Sequence, residues 1–307
     1  MRERLNQFFS FLPLNKRFSI SKFYRKITSP LRILPDFLII GAPRCGTTSL
    51  YQYLIQHPSI FPAYRKEIKY FIRIYSKTNS RNRIVDKKDL VLSQIYYNLR
   101  INDYKAYFTF LITKYFYKYI LRRKFITGEA SSIYMFHPNV PNRVFYMLPS
   151  IKLIILLRNP IDRVYSDYHF LKNYGNINRD KFPSFEEVIK KEEKKLRKKS
   201  KISNRLHNII LERGRYLPYI KNWLRYFPKE QILIIKSEDL FENPHKIINE
   251  VFKFLDLPMF QSNEYKKYNV GRYKMMEEET RKWLINYYKP NNYQLYKFLG
   301  RNFGWDK

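Results

Sequence analysis

Residues 37–50 read FLIIGAPRCGTTSL, and this stretch constrains the fold of the 307-residue chain more than any other. The apolar run that enters Gly41 is typical of a buried parallel strand. Apolar residues then recur with helical spacing from 48 to 57, and Pro58 ends that helix. Gly41 and Gly46 are spaced as in loops that hold a phosphate at a helix N-terminus. The sequence therefore predicts a strand, an anion-binding loop and a helix.

The loop lacks one feature of nucleotide-hydrolysing enzymes. Such enzymes carry a lysine directly after the second glycine, and this chain has Thr47 there. The nearest cation is Arg44, whose planar guanidinium can bind two oxygens of one anion. No clear apolar strand ends in an aspartate that would hold Mg²⁺, and no His/Cys cluster has metal-ligand spacing. We therefore expect the loop to hold a phosphate or sulfate without a metal ion.

Further apolar runs alternate with helical patterns along the chain. Strands are predicted at 36–41, at 151–160 and at 231–240, and residues 125–138 are predicted to form a short strand and then a loop. Helices are predicted at 161–173, 184–200, 206–227, 242–258 and 277–288. This alternation indicates an α/β fold with a central, mainly parallel sheet flanked by helices in three layers. The predicted organisation is a basic, aromatic lead-in at 1–35 and a single domain at 36–307 with a helical insertion at 76–124.

The chain is strongly basic, with 59 Lys and Arg against 26 Asp and Glu and a formal net charge of +33. This charge suits a polyanionic partner, whether nucleic acid, anionic polysaccharide or membrane surface. Codon usage rich in A and T would produce the same abundance of Lys, Asn, Ile, Tyr and Phe. Both explanations remain open, but either way the positive field attracts anionic cofactors and substrates.

Cysteine usage and hydropathy indicate the compartment. Cys45 is the only cysteine, so no intrachain disulfide can form, which fits a reducing compartment. No run approaches ~18 consecutive apolar residues, so we expect no transmembrane segment. The first 35 residues lack the apolar core and cleavage site of a secretory signal. We therefore expect a cytoplasmic or plastid-stroma protein, and the oligomeric state is left open.

A second motif and its neighbours carry a family resemblance. LLRNPIDRVYSDY (156–168) places Arg158 at a strand end and Ser166 about two helical turns later, where both could reach another phosphate. The two motifs resemble the 5′-phosphosulfate and 3′-phosphate motifs of sulfotransferases that use 3′-phosphoadenosine 5′-phosphosulfate (PAPS). Other segments are similar to the heparan sulfate and bacterial-type carbohydrate branch of that family: RKEIKYF (65–71), GEASSIY (128–134), the segment 214–244 and the segment 270–300.

The resemblance, which runs from about 36 to 305, implies a P-loop-NTPase-like fold and a site. A sulfuryl group would pass in line from PAPS, leaving the nucleotide product PAP, to a hydroxyl or amine of a carbohydrate or similar acceptor. The implied catalytic residues are Glu67 as general base, Arg44 at the leaving oxygen, and Lys69. The implied donor site consists of Arg44, Cys45, Gly46, Thr47, Thr48, Ser49, Arg158, Ser166, Gly271, Arg272 and Lys274. The implied acceptor contacts are Lys66, Lys69, Glu129 and Tyr216.

Two residues depart from the family pattern. The family loop usually carries lysine where this chain has Arg44, and arginine is a poor proton donor, so its help to the leaving phosphate would be electrostatic. The histidine of the family segment K-E-x-H-F-F is Lys69 here, which puts a His-assisted step in doubt.

Two other functions remain open on the sequence alone. One is a P-loop kinase or NTPase, against which Thr47 at the lysine position counts. The other is a basic nucleic-acid-binding protein without catalysis. The ordered motifs argue against it, because binding by charge alone needs no glycine loop at a strand end. We expect PAPS, PAP and an acceptor as partners, and no specific nucleic acid.

Overall fold

The architecture was analysed in a computed structural model, which describes residues 14–73, 100–173, 182–197, 209–262, 264–271 and 273–306. A five-stranded sheet forms the centre, and all its neighbouring strands run parallel in the order β2-β3-β1-β4-β5. The strands are β1 (Phe37–Gly41), β2 (Ile60–Pro62), β3 (Ile126–Ala130), β4 (Lys152–Leu157) and β5 (Ile232–Lys236). The predicted α/β fold with a parallel sheet is confirmed.

Eleven helices are numbered here in chain order. They are α1 (Leu14–Ile27), α2 (Thr47–Leu54), α3 (Tyr70–Arg73), α4 (Leu111–Tyr115), α5 (Val140–Met147), α6 (Pro160–Lys172), α7 (Phe185–Arg197), α8 (Tyr216–Leu224), α9 (Ser237–Glu242), α10 (Pro244–Phe254) and α11 (Glu278–Leu299). A π-helical turn, Phe116–Ile120, directly follows α4, and residues 100–105 are also helical.

The middle of the sheet is buried on both faces, which explains its apolar sequence. Every residue of β1 and β3 is buried, including Thr127 and Glu129. Gly128 pairs with Phe37, and a Cβ on Gly128 would lie 2.5 Å from the Phe37 ring, so this position accepts only glycine without a shift. Because the strands are parallel, the loops after β1, β3 and β4 all leave the same edge of the sheet.

A second, smaller apolar cluster lies beside the main core. It is built from α6, α7, residues 209–211 and α11. The fully buried Arg163 crosses this region, and its guanidinium donates to the Asp167 carboxylate at 3.1 Å and to the carbonyl oxygen of Ile210. The cluster thereby anchors α6, the helix that carries the second motif.

Several predicted boundaries were wrong. The predicted strand 231–240 ends at Lys236, because the following sequence SEDL places acidic side chains in the first turn of a helix. The C-terminal helix does not end at 288 but continues past Pro290 to Leu299. Neither β2 nor α5 was predicted. Much of the predicted helical insertion, residues 76–99, lies outside the described residues.

Hydropathy along the described helices is low. Within the described ranges, no helix is both long and apolar enough to cross a membrane.

Candidate active site

The loop between β1 and α2 is held by hydrogen bonds to its carbonyl groups. Gly46 caps α2 with φ of +84°, a backbone conformation that favours glycine. Arg158 donates to the carbonyl oxygen of Arg44 at 3.3 Å, and the Ser237 hydroxyl donates to that of Cys45 at 3.0 Å. Because the first N–H groups of a helix have no intrahelical acceptor, the start of α2 is free to bind an anion.

A cavity of about 450 Å³ opens in front of this loop. Seven of the residues predicted to bind the donor line it: Arg44, Gly46, Thr47, Thr48, Arg158, Ser166 and Gly271. Cys45 and Ser49 are fully buried and do not line the cavity. Lys274 does not line the cavity either, and its carbonyl oxygen accepts a hydrogen bond from the Tyr165 hydroxyl at 3.0 Å. Arg272 lies outside the described residues.

Arg44 links the loop to α6. Its backbone has a positive φ of 67°, and its Nε donates to the Ser166 hydroxyl at 3.1 Å. The guanidinium carbon also lies 5.0 Å from the centre of the Phe170 ring. Burial lowers the pKa of Arg44, and the nearby Asp167 carboxylate partly opposes this effect. The two residues predicted to serve different ends of the donor, Arg44 and Ser166, are therefore in direct contact.

Residues 264–271 cover the start of α2. The backbone N–H of Tyr268 donates to the Ser49 hydroxyl at 3.1 Å, and the Asn269 side chain donates to that of Thr48 at 3.3 Å. The segment also brings Lys267 to the cavity wall, 5.2 Å from the centre of the Phe241 ring. Sequence reasoning did not single out Lys267 or Phe241, because neither lies in a motif with a fixed spacing.

Glu67 lies at the carboxyl end of β3. Its backbone N–H donates to the carbonyl oxygen of Ala130 at 2.8 Å, and its φ is +56°. Its Oε1 accepts from the Lys66 ammonium at 3.0 Å and from the N–H and hydroxyl of Ser132 at 3.2 and 2.9 Å. The backbone N–H of Lys69 donates to the Ser131 hydroxyl at 3.0 Å. The segment with Lys66, Glu67 and Lys69 is therefore fixed to residues 130–132.

This segment and the loop between β1 and α2 meet at one edge of the sheet. Ser131 donates its N–H to the carbonyl oxygen of Ile39 at 3.0 Å, within β1. A Cβ on Gly41 would lie 2.5 Å from Cβ of Met135, so the backbone at the start of the loop touches the turn after β3. The predicted base and the predicted anion-binding loop thus lie at the carboxyl ends of two adjacent strands, β3 and β1.

The comparisons with known proteins agree with this geometry. Residues 34–297 match the sequence model of the family described as "Sulfotransferase domain". The chain belongs to the sulfotransferase family. Members of this family are transferases of the EC 2.8.2 type.

Two relatives and one solved structure illustrate the similarity. The membrane-associated sulfotransferase kil1 of Dictyostelium discoideum is 28% identical over 91% of this chain and 68% of its own length. The human bifunctional heparan sulfate N-deacetylase/N-sulfotransferase 3 is 29% identical over 87% of this chain, but over only 30% of its own length. The crystal structure of a sulfotransferase from Alicyclobacillus acidocaldarius matches 90% of this chain and 100% of its own with a TM-score of 0.61 and 25% identity.

Two predicted acceptor contacts of this sulfotransferase need correction. Glu129 is fully buried, and its carboxylate accepts from the hydroxyls of Tyr104, Tyr134 and Ser131 at 2.8, 3.0 and 2.8 Å. Tyr216 is 2% exposed, and its hydroxyl donates to the carbonyl oxygen of Arg158. Both side chains are buried and hydrogen-bonded to neighbouring residues, so we infer that they position those residues and do not contact the acceptor.

The buried Glu129 has unusual electrostatics. Burial raises its pKa to about 7, against the lowering effect of its three hydroxyl donors, and the neighbouring Glu67 carboxylate adds to the rise. The sequence motif GEASSIY contains the partners Ser131 and Tyr134, but Tyr104 comes from a distant helix and had no signal in the sequence.

Among the residues that the structure describes, no three His, Cys, Asp or Glu side chains lie close enough together to hold a metal ion.

Proposed function

We propose that this sulfotransferase moves the sulfuryl group of PAPS to a hydroxyl or amine of a carbohydrate, with Glu67 as general base. The observation that supports this most is the meeting of two structures at one sheet edge: the anion-binding loop after β1 and the anchored Glu67 beside β3. The similarity to a human enzyme named for heparan sulfate supports a carbohydrate acceptor.

The cavity fits the proposed donor in size and charge. Its volume of about 450 Å³ lies within the range of sites for nucleotide-sized ligands. Arg44, Arg158 and Lys267 supply positive charge to the wall, and the N-terminus of α2 adds the partial charge of unpaired N–H groups. The wall also carries Asp162, Glu238 and Glu242, of which Asp162 pairs with Arg281 and Glu238 accepts from the N–H of Asn159. Thr47 and Thr48 add hydroxyl groups that can donate to phosphate or sulfate oxygens.

The residues divide the chemistry of transfer between them. PAPS supplies a sulfuryl group bonded to a phosphate oxygen. Glu67 takes the proton from the acceptor as its oxygen or nitrogen bonds to sulfur. Among the residues described, its Oε2 has no hydrogen-bond partner, whereas Oε1 has three contacts that hold the carboxylate in place.

The opposite side of the reaction needs stabilisation of negative charge. As the bond to sulfur breaks, charge collects on the bridging oxygen of the leaving phosphate. Arg44 and the N-terminus of α2 face the cavity from the loop and stabilise that charge. Because Ser166 holds the Nε of Arg44, the two Nη groups are the donors left for the leaving oxygen. Arg44 thereby acts by electrostatics and does not transfer a proton.

Donor binding can be tested by calorimetric titration of the protein with PAP, with and without Mg²⁺, beside ATP. We expect micromolar affinity for PAP that does not depend on Mg²⁺. Arg158→Ala should lower this affinity by about tenfold to a hundredfold, because it removes a charged hydrogen-bond donor. Arg225→Ala, at an exposed position outside the cavity, is the matched control and should bind PAP normally. A folded protein that does not bind PAP would refute the donor assignment.

The base can be tested separately by turnover of PAPS with a panel of oligosaccharides. Glu67→Gln keeps the shape of the side chain but removes the basic carboxylate, so the rate should fall by about 10² to 10⁴. The affinity for PAP should stay unchanged. Turnover at the wild-type rate in Glu67→Gln would show that another group takes the proton.

A further inference from the structure

An apolar surface lies beside the edge of the sheet that β2 forms. The described residues expose twenty large apolar side chains, of which four lie in residues 23–31 and seven in residues 111–121. Ile27, Ile112 and Ile120 expose 62%, 71% and 68% of their surface. Scattered exposed apolar side chains are normal, but a cluster of this kind marks a binding surface. We call the exposed apolar residues of these two ranges the apolar patch.

The two parts of the apolar patch are neighbours, and the fold turns them outwards. The Tyr24 ring lies 6.5 Å from the ring of Phe110, and Arg32 and Phe110 form an isolated backbone bridge. On the inner side, the Tyr117 ring packs edge-on against Phe61 of β2, with 4.9 Å between ring centres. Since Tyr117 anchors the segment to the sheet, its neighbours on the other side of the helix are held in solvent.

The longer segments that carry the two parts of the patch contain basic but no acidic residues. Residues 14–35 contain six Lys and Arg, residues 105–124 contain six more, and neither stretch contains an Asp or Glu. The excess of basic over acidic residues is therefore greater in these two ranges than in the whole chain, which has 26 acidic and 59 basic residues. Arg25 and Arg32 are buried, and Lys114 and Lys124 pair with Asp36 and Asp256, so the other cations supply the surface charge. A surface that combines exposed apolar side chains with positive charge is typical of proteins that bind at the face of a membrane.

A basic cavity adjoins the apolar patch. Its volume is about 450 Å³, and its wall consists of Asp36, Lys114, Lys118, Arg122, Arg123, Lys124, Phe125 and Ile126. The Asp36 carboxylate forms an ion pair with the Lys114 ammonium at 3.3 Å. Within the described ranges, no carboxylate pairs with Lys118, Arg122 or Arg123. Three cations therefore remain for an external anionic group.

This basic cavity is separate from the donor cavity. It includes Asp36 and Ile126, which lie at the amino ends of β1 and β3, whereas the phosphate loop leaves the carboxyl end of β1. Six residues of extended chain separate the two edges, which corresponds to roughly 20 Å. Neither sulfuryl transfer nor PAPS binding uses the basic cavity.

We propose that the apolar patch and the basic cavity dock this protein on an anionic lipid bilayer. The aliphatic and aromatic side chains enter the boundary between headgroups and acyl chains, and the cations contact lipid phosphates. Lysine and arginine suit this position because their stems can lie along apolar surface while their charges stay in water. Nucleic acid explains the charge but not the exposed isoleucines, since a phosphate backbone offers no apolar phase to bury them.

The test is flotation of the full chain with vesicles. Phosphatidylcholine vesicles are compared with vesicles that contain about one third phosphatidylserine. We expect binding to the anionic vesicles, weakened by salt because the charges are screened. Ile112→Asp/Ile120→Asp should lower the partition coefficient by about tenfold or more. Phe23→Asp, in the other part of the patch, should also lower it. Tyr293→Asp, at a side chain 67% exposed outside the patch, should leave binding unchanged.

Charge-reversal variants complete the experiment. Lys118→Glu/Arg122→Glu should weaken binding to anionic vesicles, whereas Lys289→Glu on the exposed side of α11 should not. PAP affinity, measured on each variant, should stay normal and so shows that the variants fold. Absence of binding to anionic vesicles would overturn the proposal. It would also be overturned if Ile112→Asp/Ile120→Asp bound like the wild type and duplex DNA displaced the vesicles, because the surface would then be a general polyanion site.

Discussion

Replacement of Glu129 by glutamine should change how the stability of the protein depends on pH. The buried carboxyl accepts from Tyr104 and Tyr134 at Oε1 and from Ser131 at Oε2. A glutamine amide can keep this arrangement, because its oxygen accepts from both tyrosines and its nitrogen donates to Ser131. The substitution therefore removes the titration and leaves the packing in place.

The magnitude follows from the pKa in the two states. The pKa of Glu129 is about 7 in the folded protein, against an ordinary value of 4.5. Between these values the folded protein keeps a proton that the unfolded chain has lost, so the free energy of unfolding falls as the pH rises. The full loss is about 3 kcal/mol, since each pKa unit corresponds to about 1.4 kcal/mol. About 2 kcal/mol of it falls between about pH 5 and about pH 7.5.

Urea denaturation at a series of pH values measures this effect. The difference in unfolding free energy between the wild type and Glu129→Gln cancels the other titrating groups, and it should move in favour of the variant as the pH rises. Glu250→Gln, at an exposed position of α10, should follow the wild type. If the curves of the wild type and Glu129→Gln stay parallel across this range, Glu129 does not titrate as the buried environment requires.

Two further substitutions test the packing beneath the site. Gly128→Ala should lower the free energy of unfolding by about 1–3 kcal/mol, because its Cβ would lie 2.5 Å from the Phe37 ring in a sheet buried on both faces. Wild-type stability in a denaturation curve would contradict this. Asp167→Asn should cost about 3–5 kcal/mol, since it leaves the buried guanidinium of Arg163 without its carboxylate. A thermal melt like that of the wild type would show that the ion pair contributes little.

Local patterns in the sequence predicted the parts of the site that lie within one strand–loop–helix unit. The spacing of Gly41 and Gly46 after an apolar run predicted the order of β1, loop and α2, because a parallel strand and a helix start restrict the residues between them. Arg158 and Ser166 were placed after one strand end in the same way, whereas their role in donor binding was taken from the family resemblance and stays a prediction. Their approach to one cavity follows from the parallel sheet.

The contacts that depend on distant segments could not be predicted. The buried state of Glu129 depends on Tyr104, which reaches it from a helix 25 residues earlier. The cover over Ser49 comes from Tyr268, which is 219 residues away. The contact between Arg44 and Ser166 was also missed, because it depends on a positive φ at a residue other than glycine, which no spacing rule indicates.

The strand order has a consequence for synthesis on the ribosome. β1 is the first strand to emerge, but its two partners in the sheet end at residues 130 and 157. At about 5–20 residues per second, roughly six to twenty seconds therefore pass between synthesis of the apolar segment FLIIG and completion of both neighbouring strands. The cover over α2 arrives later still, with residue 269. A nascent chain of this protein thus exposes the apolar strand β1 until residue 157 has been made, about halfway along the 307 residues.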